Sequence, residues 1–227
     1  MNNKNIVAIG GGGFGRSLGS LKIERYITSL VKNKRPNICF IPTASGDNEL
    51  YKLNFYRAFS TLDCIPSHID FFSRTENLEK KVAAQDIIYV GGGNTKSMLA
   101  VWKEWNLPRI LLNAYENGVV MSGVSAGAIC WFEKGITDSF ADKLEIIECL
   151  GIVEGVACPH FDEEKDREPY VNDLIRREVI KSCICIEGNC ALHIKNDYEY
   201  YSVNFGKEKN SLSISKNNKK LKKEFSR

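Results

Sequence analysis

The sequence predicts an α/β fold with a doubly wound, mostly parallel sheet and helices on both faces. Short β-branched runs recur along the chain, and each ends in small residues followed by a stretch of helical character. The runs are apolar at nearly every position, which is typical of strands covered on both faces. Strand, glycine turn and helix follow one another four times, and this order indicates a parallel sheet wound on both sides.

Each predicted element is bounded by a turn signal in the printed sequence. The predicted buried strands are residues 5–9, 37–41, 86–90, 118–121 and 182–186, with antiparallel edge strands at 191–194 and 199–203 near the C-terminus. The helical segments are residues 50–62, 95–105 and 126–132. Parallel sheets of this type bind ligands at the carboxyl ends of their strands, so the glycine-rich turns are where we expect the chemistry.

Composition indicates a single globular domain. Of the 227 residues, 43% are hydrophobic and 26% charged, no stretch is long and apolar enough to span a membrane, and no linker interrupts the chain. We therefore expect one α/β domain over residues 1–215, a cytoplasmic location, and a basic, solvated tail at 216–227. The net charge of +3 comes largely from that tail. Neither nucleic acid nor a membrane is expected as a partner, although a nucleic-acid binder acting through the tail is a weaker alternative.

The cysteines predict neither a disulfide framework nor a metal site. There are eight, several of them lie in apolar runs, and no CxxC occurs. In a chain without a predicted signal peptide, we interpret them as reduced core thiols. No metal and no cofactor is expected.

A serine nucleophile is the strongest chemical signal. Residues 123–127 read GVSAG, which is G-x-S-x-G directly after an apolar run. In a nucleophile elbow the serine occupies a strained turn between strand and helix, which requires small neighbours, and the next amide helps to bind an oxyanion. The pattern favours Ser125 as nucleophile and the amide of Ala126 as an oxyanion donor.

A serine nucleophile needs a base, and the chain has three histidines. His160 follows Pro159 after an apolar stretch, so we expect it in a loop at the end of a strand, where a general base belongs. His193 lies in an apparent edge strand. Acids that could hold the base are Asp138, Asp162 and Glu187. Glu187 is favoured, because it follows a buried strand and a carboxylate there must be partnered.

The first glycine turn also matches a dinucleotide-binding pattern. Gly10, Gly12 and Gly15 satisfy G-x-G-x-x-G, but no acid stands at the end of the second strand before Asp47. We interpret this segment as a turn beside the active cleft. The alternative is a nucleotide-binding module that depends on Gly12 and in which Ser125 is catalytically idle.

Taken together, the motifs resemble the peptidase E (α-aspartyl dipeptidase) family of serine peptidases, which is related to cyanophycinases. The resemblance covers about residues 6–203 and rests on IPTAS at 41–45, GGGNT at 91–95, SAGA at 125–128, TD at 137–138, PHF at 159–161 and EGN at 187–189. It implies a fold like that of class I glutamine amidotransferases, with serine in place of their nucleophilic cysteine. It also implies a triad of Ser125, His160 and Glu187 that hydrolyses dipeptides.

The resemblance assigns further roles. The oxyanion hole is implied to combine the amide of Ala126 with one from Gly92 or Gly93. Asn94 is implied to order this glycine turn beside the substrate, and Asp138 to hold the free α-amino group of a small peptide substrate. No cofactor is implied.

Specificity and assembly stay open at this point. An N-terminal aspartate would need a cationic partner, for which the sequence offers Arg16, Arg167, Arg176 and Arg177. A small esterase with His193 as base and Asp138 as acid is a further alternative. Edge strands near the C-terminus are compatible with a monomer or a homodimer.

Overall fold

The structure is a computed structural model that describes residues 3–141 and 143–206, and the backbone of residues 211–215. The tail predicted at 216–227 lies outside the described residues. The strands are β1 (Asn5–Ile9), β2 (Asn37–Ile41), β3 (Ile65–His68), β4 (Ile87–Val90), β5 (Val120–Val124), β6 (Phe132–Phe140), β7 (Lys143–Glu148), β8 (Val153–Cys158), β9 (Ser182–Ile186), β10 (Cys190–Lys195), β11 (Glu199–Asn204) and β12 (Ser211–Ser215). The α-helices are α1 (Lys22–Thr28), α2 (Glu49–Ser60), α3 (Leu78–Ala83), α4 (Thr95–Glu104), α5 (Leu107–Glu116), α6 (Ala126–Ile129) and α7 (Arg167–Arg176).

The larger sheet has the strand order β11-β10-β1-β5-β4-β2-β3. Five neighbouring strands are parallel to one another, in the spatial order β1, β5, β4, β2 and β3. The strands β10 and β11 are added antiparallel at the edge next to β1. The predicted α/β fold with antiparallel strands near the C-terminus is therefore confirmed. Ile9 pairs with Val124, and Val90 pairs with Gly123. The turns after β1, β4 and β5 consequently meet at one edge.

Alternate residues of the parallel strands enter two different cores. Val7 and Ile9 pack toward α1 and α2, whereas Ile6 and Ala8 pack toward α3, α4 and α5. All four side chains are fully buried. This two-sided burial explains why the strands read as continuous apolar runs rather than alternating ones.

A second, smaller sheet was not foreseen from the sequence. It has the order β12-β9-β8-β6-β7, and α7 packs on it through Val171, Leu174 and Ile175. The helix expected over 126–132 ends at Ile129, because Phe132 begins β6 and pairs with β8. Pairing in this sheet overrides the local helical pattern.

Three other features bear on the sequence-based predictions. The fourth predicted strand lies later than expected and runs to Val124, so Ser125 follows the strand directly. The eight cysteines all lie within the described residues and are free thiols, seven of them buried, as predicted. In the part of the chain that the structure describes, no helix has the length and apolar character needed to cross a bilayer.

Candidate active site

Ser125 occupies a strained turn between β5 and α6. Its φ of 59° and ψ of −114° are unusual for a residue with a side chain, and its amide donates to the Ile9 carbonyl over 3.0 Å. A Cβ at Gly123 would lie 2.3 Å from the Gly127 carbonyl oxygen, and one at Gly127 would lie 2.2 Å from that of Val90. Both glycines of the G-x-S-x-G motif are thus required by close backbone approach, as in a nucleophile elbow.

The glycine turn after β4 lies against this serine. A Cβ at Gly92 would be 3.2 Å from Ser125 Cβ and 3.8 Å from its Oγ. Gly93 has a φ of 139° and passes over the Ala44 carbonyl, which accepts a 2.7 Å hydrogen bond from the Asn94 amide. The Asn94 side chain caps α4 by accepting from the Ser97 amide over 2.8 Å. The turn is therefore held in one position beside Ser125.

His160 follows β8 by two residues, at the strand end where it was expected. It is 7% exposed. Burial is the main reason why the pKa of His160 lies below its ordinary value of 6.5, although the hydrogen bond to Glu163 opposes this shift. The imidazole is consequently neutral at pH 7, which is the form that can accept a proton.

The carboxylate of Glu163 partners His160, whereas the assignment of Glu187 as the orienting acid stays a prediction. The distance from His160 Nδ1 to Glu163 Oε2 is 3.0 Å. Arg16 Nη1 donates to the other carboxylate oxygen of Glu163. Burial raises the pKa of Glu163, but hydrogen bonds from Arg16 and His160 outweigh it, and the pKa is lowered below its ordinary value.

Two glycines make room for the pair of His160 and Glu163. A Cβ at Gly11 would lie 2.9 Å from His160 Nδ1 and 2.7 Å from Glu163 Oε2. A Cβ at Gly188 would lie 2.2 Å from Glu163 Oε1. Glu163 thus lies over the turn that follows β9, where Glu187 was expected to act. Asp162, the other acid considered, accepts a 2.7 Å hydrogen bond from the Gly188 amide and fastens the His160 loop to this turn.

Two cavities meet at Ser125 and His160, and both residues line each of them. The first is about 380 Å³ and the second about 250 Å³. The other residues lining the first are Gly93, Asn94, Asp138, Ser139, Glu164 and Arg167. The other residues lining the second are Gly12, Gly15, Arg16, Tyr51, Gly92 and Val124. A substrate can therefore extend to both sides of Ser125.

Of the four candidate arginines, Arg16 and Arg167 reach these cavities. Arg167 is buried, donates over 3.1 Å to the Ile136 carbonyl, and pairs with Glu164 at 2.8 Å. The other two candidates, Arg176 and Arg177, pair with Asp173 at the exposed end of α7.

Comparison with known proteins identifies the family of this chain. The model of peptidase family S51 matches residues 6–199. The chain belongs to peptidase family S51. The uncharacterized peptidase YgaJ of Bacillus subtilis (strain 168) is 48% identical over 201 residues, which are 88% of this chain and 87% of that protein. The uncharacterized peptidase Lmo0363 of Listeria monocytogenes is 28% identical over 145 residues, which are 58% of this chain and 68% of that protein.

Two solved structures share the fold of this S51 peptidase. A putative peptidase E protein from Listeria monocytogenes EGD-e has a TM-score of 0.67 at 20% identity, with 90% of this chain and 100% of that chain covered. A peptidase from an acI-B1 Actinobacterium has a TM-score of 0.70 at 20% identity, with 93% and 96% covered. The resemblance to the peptidase E family is confirmed, and the chain is a serine-type peptidase.

The glycines of the dinucleotide-like pattern have packing roles in this S51 peptidase. A Cβ at Gly10 would meet the Glu187 carbonyl oxygen at 2.3 Å, one at Gly12 the Asn189 side chain at 2.5 Å, and one at Gly15 the Tyr51 ring at 2.8 Å. The next α-helix begins only at residue 22. Close packing therefore accounts for a glycine at each of these three positions, and no bound nucleotide is needed to explain them.

His193 is a structural residue in this geometry. Its Nδ1 lies 2.7 Å from Tyr26 Oη and its Nε2 lies 3.0 Å from Asn5 Oδ1, and it lines neither cavity at Ser125. Burial lowers the pKa of His193 to about 4. The esterase alternative required this ring as the base, and the described contacts place it on the α1 side of the larger sheet.

We expect His193→Gln to reduce the loss of stability in acid while sparing activity. A folded-state pKa below the unfolded value of about 6.5 means that this histidine costs stability progressively as pH falls from 6.5 toward 4. At pH 4.5 the free-energy difference attributable to this residue is about 2 kcal/mol. Urea unfolding of both proteins at pH 7 and pH 4.5 measures it. Peptidase activity at pH 7 reduced more than tenfold would instead support His193 as the base.

We also expect the acid limb of the kcat/KM profile to lie at lower pH than it would if the base were an exposed histidine. Because the pKa of His160 is lowered by burial, the acid-side half-maximum of kcat/KM should lie below pH 6.5. Steady-state rates at subsaturating substrate between pH 5 and 8 test this. A half-maximum at pH 7 or above would contradict the neutral, buried imidazole.

Three residues of the site were not found from the sequence: Glu163, Arg16 as its partner, and Tyr51. The one local signal for Glu163 is its position three residues after His160 in a turn, where the Glu163 amide donates to the His160 carbonyl. In the sequence it belongs to a DEE run at 162–164, which looks like an ordinary solvated charge run. Within the described residues, no group of three or more His, Cys, Asp or Glu is arranged to hold a metal ion.

Proposed function

We infer that this S51 peptidase is a serine dipeptidase, with Ser125 as nucleophile, His160 as general base and Glu163 as the acid that orients the base. One observation carries the proposal. The buried His160, whose Nδ1 is partnered by the Glu163 carboxylate, lines the same two cavities as the serine of the strained elbow. A nucleophile, a base and an orienting carboxylate in this relation are the parts needed for acyl transfer.

The proposed reaction has two steps. His160 Nδ1–H is held by Glu163, so Nε2 is free to accept the Ser125 hydroxyl proton while Oγ attacks the peptide carbonyl. The carbonyl electrons move to oxygen, and the resulting oxyanion is held by the amide of Ala126 with that of Gly93, because the Gly92 amide donates to Tyr51 Oη. Collapse breaks the C–N bond, and the leaving amine takes the proton from the imidazolium. Water, deprotonated by His160, then hydrolyses the acyl-enzyme.

The first cavity supports recognition of the N-terminal residue. Asp138 is exposed there and makes no hydrogen bond or ion pair with another described residue, which suits it to a substrate ammonium group. Arg167 lines the same cavity, and we assign it as the cationic partner of an acidic first side chain. We therefore propose that dipeptides beginning with aspartate are the preferred substrates.

A panel of dipeptides tests the proposal. The first residue is Asp, Glu, Asn, Ala, Leu or Lys with a constant second residue, and each dipeptide is assayed with a free and with an acetylated N-terminus. We expect release of the second residue from the free Asp dipeptide and strongly reduced release after acetylation. An activated phosphonate should add one mass label, located on Ser125 by peptide mapping. A protein that cleaves no member and takes up no label would refute the dipeptidase proposal.

A further inference from the structure

The second cavity contains a tyrosine whose hydroxyl group lies beside the oxyanion donors. Tyr51 on α2 lines this cavity together with Ser125, His160 and Gly92. The Gly92 amide donates a 3.4 Å hydrogen bond to Tyr51 Oη, and the same glycine lies against Ser125. The phenol therefore lies next to the glycine turn that packs against Ser125.

The Tyr51 ring is held in one orientation. A Cβ at Gly15 would lie 2.8 Å from the ring, and one at Gly91 would lie 3.1 Å from it, so the absence of side chains at these glycines creates the slot. Phe40 packs edge-on against the ring, with centroids 4.9 Å apart, and Phe14 packs at 5.4 Å. A hydroxyl group fixed in this way needs no reorganisation during the reaction, which is the property that makes an oxyanion donor effective.

The protonation state suits a donor. Burial raises the pKa of Tyr51 to about 12, so the phenol keeps its proton over the working range of a peptidase. Its oxygen accepts the Gly92 amide proton, so its own proton is directed away from that amide, and the tyrosine lines the cavity that Ser125 and His160 also line.

We propose that the Tyr51 hydroxyl donates a hydrogen bond to the tetrahedral oxyanion, as a side-chain donor beside the amides of Ala126 and Gly93. The proton remains on Tyr51 throughout, so the residue stabilises charge and transfers none. The proposal rests on the serine dipeptidase mechanism above. It also accounts for Gly15 and Gly91, which the mechanism otherwise leaves without a role.

Tyr51→Phe tests this role, because it removes the hydroxyl group and keeps the ring. We expect kcat to fall on the order of 100-fold, with KM changed less than about threefold, since the oxyanion exists only in the transition state. The affinity for a dipeptide aldehyde, which forms a tetrahedral adduct on Ser125, should fall by a similar factor. A second ligand is the same dipeptide with its peptide carbonyl reduced to a methylene group, here called the reduced-bond analogue. Because it has no carbonyl oxygen, its affinity should not change.

Tyr56→Phe is the matched control. Tyr56 lies five residues later on α2, and its hydroxyl contacts His68 Nδ1 at 2.7 Å and not the cavities at Ser125. This variant should keep wild-type kcat and aldehyde affinity, and the thermal unfolding midpoint of each variant reports its folding. In wild-type protein carrying ¹³Cζ-tyrosine, aldehyde binding should shift the Tyr51 resonance and leave that of Tyr56 in place, which gives a readout that needs no variant.

The outcomes distinguish a failure of the role proposed for Tyr51 from a failure of the dipeptidase mechanism. If the wild type cleaves dipeptides and binds the aldehyde, but Tyr51→Phe matches it within threefold in both, the role of Tyr51 is wrong and the dipeptidase mechanism stands. If Tyr51→Phe lowers aldehyde and reduced-bond affinities equally, the hydroxyl acts in general binding, and the proposal is overturned. If the wild type neither cleaves dipeptides nor binds the aldehyde, both proposals fail.

Discussion

Ser125→Ala is expected to lower kcat/KM for the preferred dipeptide by a factor on the order of 10⁵, with little change in substrate affinity. Alanine removes the atom that forms the acyl-enzyme, whereas the cavities, His160 and the oxyanion donors stay in place. The residual rate reflects only the attack of water on a bound and polarised carbonyl. Single-turnover assays and calorimetric binding of the uncleaved dipeptide measure the two quantities separately.

Ser122→Ala is the control for this experiment. Ser122 lies on the same strand, fully buried, and its hydroxyl donates to the Ile88 carbonyl over 2.8 Å. The variant loses a structural hydrogen bond, worth about 1 kcal/mol of stability, and should keep its activity. If Ser125→Ala retained more than a hundredth of wild-type activity, a different nucleophile would have to be sought.

Glu163→Gln is expected to lower kcat on the order of 10³-fold, and Glu187→Gln less than tenfold. The Glu163 carboxylate accepts from His160 Nδ1, sets the tautomer that exposes Nε2, and stabilises the imidazolium that forms in the transition state. Glutamine keeps the shape but supplies no charge. Because the Glu163 hydrogen bond raises the pKa of His160, its loss should also move the acid limb of the pH profile further down.

The comparison of these two variants decides between the structure-based and the sequence-based assignment of the acid. Both replacements are isosteric, and both glutamates lie in loops at the carboxyl end of the smaller sheet. Steady-state rates between pH 5 and 8 and histidine NMR titrations of each variant supply the data. A large loss in Glu187→Gln together with near-normal Glu163→Gln would restore Glu187 as the orienting acid.

Much of the larger sheet was predictable because its strands carry local signals. The bounds of β1 and β2 match the prediction, since strands buried on both faces read as continuous apolar runs that end in glycine or polar residues. The smaller sheet was harder to foresee. β6 has an irregular register with β8 and mixes buried and exposed residues without a clear period. Its pairing depends on contacts between distant segments, which local periodicity does not report.

By itself, the sequence determined the fold class of this S51 peptidase and predicted the elbow that presents Ser125 as the proposed nucleophile. An elbow is built from adjacent residues, so Gly123, Ser125 and Gly127 carry its backbone requirements within five positions. The tertiary structure decided the partner of the base. His160 and Glu163 find space because two glycines that are far apart in sequence, Gly11 and Gly188, come together at the carboxyl ends of β1 and β9. The three-residue spacing of His160 and Glu163 is present in the sequence, but the room for this pair depends on how the loops of two sheets meet, which local spacing does not report.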